Sequence, residues 1–93
     1  MHIISKKRLR EFWLTHPQAE APLLAWHTLL SNCDAQSFAE LKQTFAAADW
    51  VKGFVVFDIG GNKYRLIADV VFSAQRAYVK QVLTHKEYDQ WKP

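Results

Sequence analysis

Two rhythms divide the chain. Up to about residue 45 the apolar positions recur at helical spacing, and beyond residue 54 they run in the dense, β-branched blocks of strands. His2–Ile4 reads as a short first strand. Ser5 caps a helix to about Thr15 whose apolar face carries Leu9, Phe12 and Trp13. His16 and Pro17 end it, because the residue before a proline disfavours the helical region. A second helix is predicted over about Gln18–Ser31, with Leu23, Trp26, Leu29 and Leu30 as its stripe. Pro22 fits there only in the first turn, where a missing N–H costs little. Ser37 and Glu40 have capping-box spacing and open a third helix to about Phe45.

Three strands follow: Phe54–Ile59, Lys63–Phe72 and Ala77–Thr84. Gly60, Gly61 and Asn62 supply a tight turn between the first two. The last two are apolar at both parities, which predicts central strands covered on both faces. A short final helix or turn spans His85–Trp91. The sum is one α+β domain over residues 1–93: N-terminal helices packed on a small antiparallel sheet, with a short C-terminal helix.

Counting pairs brings two distant segments together. A turn at Ala74–Gln75 sets Ser73 opposite Arg76, and counting back puts Arg65 opposite Thr84 and Tyr64 opposite His85. The glycine turn sets Asp58 beside Lys63. One end of the sheet then gathers Asn62, Lys63, Tyr64, Arg65, His85, Lys86, Tyr88 and Asp89.

Composition narrows the chemistry that this cluster serves. With 49% hydrophobic and 14% aromatic residues the chain is globular rather than disordered. No apolar run is long enough to span a bilayer, and the basic N-terminus lacks the apolar stretch of a signal peptide, so no membrane partner and a cytoplasmic location are expected. A single cysteine, Cys33, excludes an internal disulfide framework and a cysteine-based zinc site, and no histidine spacing suggests a metal. The net charge of +3 favours nucleic acid or an acidic protein as partner.

Metal-independent RNA cleavage needs a base for the 2′-hydroxyl, an acid for the departing 5′-oxygen, and cations for the charge that builds on the phosphate. His85 suits either proton transfer, since imidazole ordinarily titrates near neutrality. Arg65 and Lys63 suit the phosphate, Arg65 the more so because it binds with two parallel hydrogen bonds. Tyr88 either packs on the sheet or contacts RNA, by proton donation or base stacking. Tyr64 reads as core. Asn62 and Lys86 are candidate RNA contacts, and Lys6, Lys7, Arg8 and Arg10 form either a solvated helix face or a second phosphate-binding patch.

Ile59–Ile67 (IGGNKYRLI) and Val82–Asp89 (VLTHKEYD) resemble the two signature segments of HigB-type toxins, of the RelE-like superfamily in type II toxin–antitoxin systems. Ile3–Trp13 and His16–Leu23 are similar to theirs as well, so the resemblance covers nearly the whole chain. It implies an α+β fold and an endoribonuclease, an mRNA interferase that needs no cofactor and cleaves messages on translating ribosomes. It also implies a cognate antitoxin, commonly a helix-turn-helix protein of the HigA type, which Trp50 and Trp91, near element ends, suit as contacts. Asp69 and Lys80 stand where many relatives carry basic residues, often Arg. The alternative reading is a non-catalytic RNA- or ribosome-binding module on the same fold; a third is a protein-interaction module for an acidic partner.

Overall fold

The computed structural model describes residues 1–92. Its elements in chain order are β1 (His2–Ile4), α1 (Lys6–Thr15), a 3-10 turn at Pro17–Ala19, α2 (Glu20–Ser31), α3 (Phe38–Thr44), β2 (Asp49–Val51), β3 (Phe54–Ile59), β4 (Tyr64–Val71), a 3-10 turn at Phe72–Ala74, β5 (Arg76–Thr84) and α4 (His85–Asp89). The α+β expectation holds.

Local chemistry accounts for most helix ends, although Ser5, at the N-cap of α1 as expected, makes no side-chain capping hydrogen bond among the described residues. Pro17 closes α1 and starts the 3-10 turn that leads into α2, and Pro22 sits in the first turn of α2, where its lost N–H is harmless. Ser37 caps α3 by accepting from the Glu40 backbone N–H at 3.2 Å. The box is skewed by one residue, because the Glu40 carboxylate accepts from the backbone of Gln36 rather than from Ser37. On α2 the buried stripe is Leu23, Trp26 and Leu30, while Leu29 is 51% exposed. One residue turns a helix by about 100°. Leu29 therefore leaves the face that its neighbour Leu30 buries, and the expected four-residue stripe shrinks to three.

The five strands form one sheet in the order β1-β5-β4-β3-β2. Strands β2 to β5 are antiparallel neighbours, but β1 adds to β5 in parallel, with Ile3 opposite Ala77, so the sheet is mixed rather than the wholly antiparallel one expected. Strand β2 was not anticipated. It forms a hairpin with β3 through Lys52 and Gly53, both at positive φ (52° and 88°), the geometry of a two-residue turn. Trp50-Val51 followed by Lys52-Gly53 was the signal for it.

The helices cover one sheet face. Leu9, Leu23, Trp26, Leu30 and Leu41 pack with Val55, Phe57, Ile59, Leu66, Ala68 and Val79. Strand β4 lies at the centre and is buried at both parities, as predicted: Leu66 at 0% faces the helices and Ile67 at 1% faces the other side. Strand β5 departs from the same expectation, with Arg76, Lys80 and Gln81 exposed.

The β4–β5 register departs from the count. The strands end at Val71 opposite Arg76, so Phe72–Gln75 form a four-residue connection, with Gln75 in the left-handed region. A β-bulge then leaves Lys80 unpaired, since Ala68 faces Val79 but Ile67 faces Gln81. Beyond the bulge Tyr64 faces Thr84 and Arg65 faces Leu83. The expected pairs, Arg65 with Thr84 and Tyr64 with His85, are thus wrong by one residue.

Candidate active site

Strands β3 and β4 are joined by four residues, Gly60–Lys63, with both glycines at positive φ (63° and 72°). This loop is longer than the tight turn expected, and it changes an ion pair. Asp58 faces Arg65, not Lys63. The Arg65 Nε donates to Asp58 Oδ1 at 3.2 Å. Nη1 donates to the carbonyls of Asn62 and Tyr64, each at 3.3 Å, and Nη2 to the Asn62 side-chain oxygen. The guanidinium carbon lies 5.6 Å from the centre of the Tyr88 ring. Arg65 is only 11% exposed and most of its donors are taken. It fixes the turn, and one Nη2 hydrogen is left without a partner among the described residues.

The second segment meets the first through backbone. The His85 N–H donates to the Lys63 carbonyl at 3.0 Å. Thr84 and Glu87 complete a capping box: the Glu87 N–H donates to Thr84 Oγ1 at 3.1 Å, and the Thr84 N–H donates to Glu87 Oε1 at 2.9 Å. The box holds the first turn of α4, on which His85 is the first residue. Its ring is 49% exposed, with Nε2 3.8 Å from Asp89 Oδ2 one turn along. Asn62, Lys63 and Lys86 are exposed around it. Tyr88 is half-buried, stacked on Trp91 at 5.7 Å on one side and engaged by Arg65.

The site residues read from the sequence therefore divide. Asn62, Lys63, Arg65, His85, Lys86 and Tyr88 belong to elements that meet at one end of the sheet. Tyr64 is buried, as expected, edge-on to Phe12 at 5.4 Å and to His16 at 6.1 Å. The basic residues of α1 do not all share one face: at about 100° per residue Lys6, Lys7 and Arg10 fall on one side of the helix and Arg8 on another. Arg8 lines a groove of about 390 Å³ between α1 and β5 with Lys80, Leu83 and Glu87. Lys6 lies toward α2, where burial and then the Lys6 charge lower the pKa of His27. Among the described residues, no three His, Cys, Asp or Glu side chains converge as metal ligands. Sequence reasoning missed Asp58 as the Arg65 partner and the capping box. The second was legible as Thr84-His85-Lys86-Glu87; the first depended on loop length.

Comparison with known proteins gives a consistent result. A family model described as HigB_toxin, the RelE-like toxic component of a toxin-antitoxin system, matches residues 19–91. The chain is 34% identical over 92 residues to the mRNA interferase toxin HigB of Escherichia coli (strain K12), covering 96% of this chain and 88% of that protein. It is equally similar to the mRNA interferase HigB of Shigella flexneri. It is 33% identical to that of Escherichia coli O6:H1, again over 96% of this chain and 89% of the relative.

Proposed function

Because the chain belongs to the HigB family of RelE-like toxins and is an mRNA-cleaving component of a toxin–antitoxin system, we propose that its cleavage site is the end of the sheet where the Gly60–Lys63 turn meets the start of α4. One observation carries this reading: the 3.0 Å bond from His85 N–H to the Lys63 carbonyl. It joins the two segments that hold the cationic and proton-transferring groups.

His85 is the exposed imidazole of the cluster and takes part in proton transfer, with Asp89 placed to attract its protonated ring. Lys63 and Lys86 are exposed and in no ion pair among the described residues, and they stabilise the phosphate oxygens as the 2′-oxygen attacks phosphorus. The new bond is from the 2′-oxygen to phosphorus, and the bond to the 5′-oxygen breaks. Proton removal from the first and proton delivery to the second balance the step, leaving a cyclic phosphate and a free 5′-hydroxyl. Arg65 positions the turn and offers its remaining N–H to the phosphate. Tyr88 holds Arg65 from below and supports the substrate-facing surface. Asn62 accepts from Arg65 and lies beside the RNA path.

Residues 1–93 act as one toxin domain in this reading. The basic α1 residues Lys7, Arg8 and Arg10, with Lys6 at the helix start, support contact with ribosomal RNA and cleavage on translating ribosomes. The proposed antitoxin is a helix-turn-helix protein of the HigA type; Trp50, 51% exposed, is a surface that such a partner covers. No described helix is long and apolar enough to cross a membrane, and the cytoplasm is the proposed compartment.

Primer extension on cellular messages after induction tests the site. Wild-type protein is expected to give discrete cuts and His85→Ala to lose them while staying folded. Undiminished cutting by folded His85→Ala overturns the assignment.

A further inference from the structure

The sheet face opposite the helices carries a feature that none of the assigned residues uses. Phe54, Ile67, Lys80, Gln81, Trp91 and Lys92 line an open pocket of about 460 Å³. Its floor is apolar, because Ile67 is the buried residue of β4 on this side. Its wall is aromatic: Trp91 stands edge-on to Phe54 at 6.1 Å. Its rim is polar, with Lys80, Gln81 and Lys92 all exposed and neither lysine in an ion pair among the described residues.

Backbone geometry built this rim. Consecutive side chains of a regular strand point to opposite faces. Lys80 and Gln81 are consecutive on β5, yet both line the pocket, as they also line the groove against α1, and Lys80 is the unpaired residue of the bulge. Bulges recur where a side chain is re-aimed next to a functional site.

The pocket is also continuous with the site described above. Arg65 sits over Tyr88, Tyr88 stacks on Trp91, and Trp91 meets Phe54. This aromatic track leads from Arg65 to the pocket. Asp69 lies next on the same face of β4, one alternation beyond Ile67.

We propose that this pocket holds one unpaired nucleobase of the RNA, adjacent to the cut, in an inference that rests on the cleavage-site reading. Aromatic walls receive a base by its face, and stacking of that kind tolerates any base. A carboxamide reads a base by its edge, since it offers one acceptor and two donors. Gln81 is therefore the selective element, and Trp91 with Phe54 the affinity element. Lys80 and Lys92 hold the flanking phosphate.

The test uses full-length protein carrying His85→Ala, titrated separately with AMP, GMP, CMP and UMP, and followed by NMR at the Trp91 indole N–H and the Gln81 carboxamide. Saturable shifts of both groups are expected with at least one nucleotide. Gln81→Ala should weaken that binding by about fivefold, the loss of roughly one hydrogen bond, and narrow the differences among the four. In cells, Gln81→Ala in the wild-type background should alter base frequencies at one position beside the cuts. No saturable shift at either group with any of the four overturns the proposal. So do shifts confined to Lys63 and Lys86, or a base profile identical to wild type. None of these results touches the cleavage-site reading, which fails only if folded His85→Ala still cuts mRNA.

Discussion

Replacing Asp58 by Asn removes a negative charge from the proposed RNA-binding surface, yet it should slow cleavage. Two effects of opposite sign compete. As a local charge, Asp58 repels phosphate, and its loss would strengthen RNA binding. As the partner of Arg65 Nε at 3.2 Å, it holds the guanidinium that also binds Asn62 and Tyr64. At an effective dielectric near 20, a pair about 4 Å apart attracts by ~4 kcal/mol gross. Asp58 is 31% exposed, so screening and side-chain ordering remove most of that. Asn keeps an acceptor oxygen, and the net cost is about 1 kcal/mol, the difference between a charged and a neutral hydrogen bond. For a chain of this size that lowers Tm by about 4–8 °C. The effect on rate should be larger than on stability, because a displacement of about 1 Å in a catalytic group can cost two orders of magnitude. We expect kcat to fall by about tenfold or more with KM unchanged or lower. Thermal unfolding by circular dichroism and message cleavage in a reconstituted translation system read the two quantities. Cleavage that is unchanged or faster, with Tm intact, refutes the positioning role of Arg65.

Thr84→Ala should cost about 1 kcal/mol through loss of the cap on α4 and reduce cleavage, with Thr84→Ser restoring both; denaturant unfolding and primer extension check this. Gly60→Ala meets only ordinary contacts, with Pro22 Cγ at 3.5 Å and Tyr64 Cδ2 at 3.6 Å. Its cost is the positive φ, about 1–2 kcal/mol, visible as a lower denaturation midpoint. His27 has its pKa lowered by burial and by Lys6, so the folded state binds fewer protons than the unfolded one. Stability should be full above the ordinary imidazole value of about 6.5 and fall as the pH drops toward the folded value. In His27→Gln that slope should flatten; a slope identical to wild type in denaturant titrations from pH 7 to pH 5 would argue against the assignment.

Periodicity and punctuation made most elements legible. His16-Pro17, the early Pro22 and Ser37-Phe38-Ala39-Glu40 each act through a local backbone rule, and each is found at work where the rule puts it. Strand β2 escaped because three residues are too few to show a period. Leu29 escaped because hydrophobicity alone does not say where a stripe ends. The Arg65 network escaped for a different reason. Gly60-Gly61-Asn62 marks a turn without fixing its length, and two more loop residues move the partner of Asp58 from Lys63 to Arg65.

The same argument applies with more force to the β4–β5 ladder, where two errors partly cancelled. The connection at Phe72–Gln75 displaces the pairing by two residues from the count, and the bulge at Lys80 restores one. Only with that restored residue does position 85 come opposite position 63, where the His85 N–H reaches the Lys63 carbonyl. A regular ladder running back from Val71 and Arg76 would set Lys63 opposite Thr84 instead. The capping residue would then occupy that place, and His85 would lie one residue beyond it. The alternation of β5 does carry a mark of the bulge: two polar residues, Lys80 and Gln81, separate Val79 from Val82, and both valines pack on the helix-facing core only if an extra residue lies between them. One unpaired lysine in the middle of a strand thus sets which residue the Gly60–Lys63 turn grips at the far end, and it lends its own side chain to the adjoining pocket.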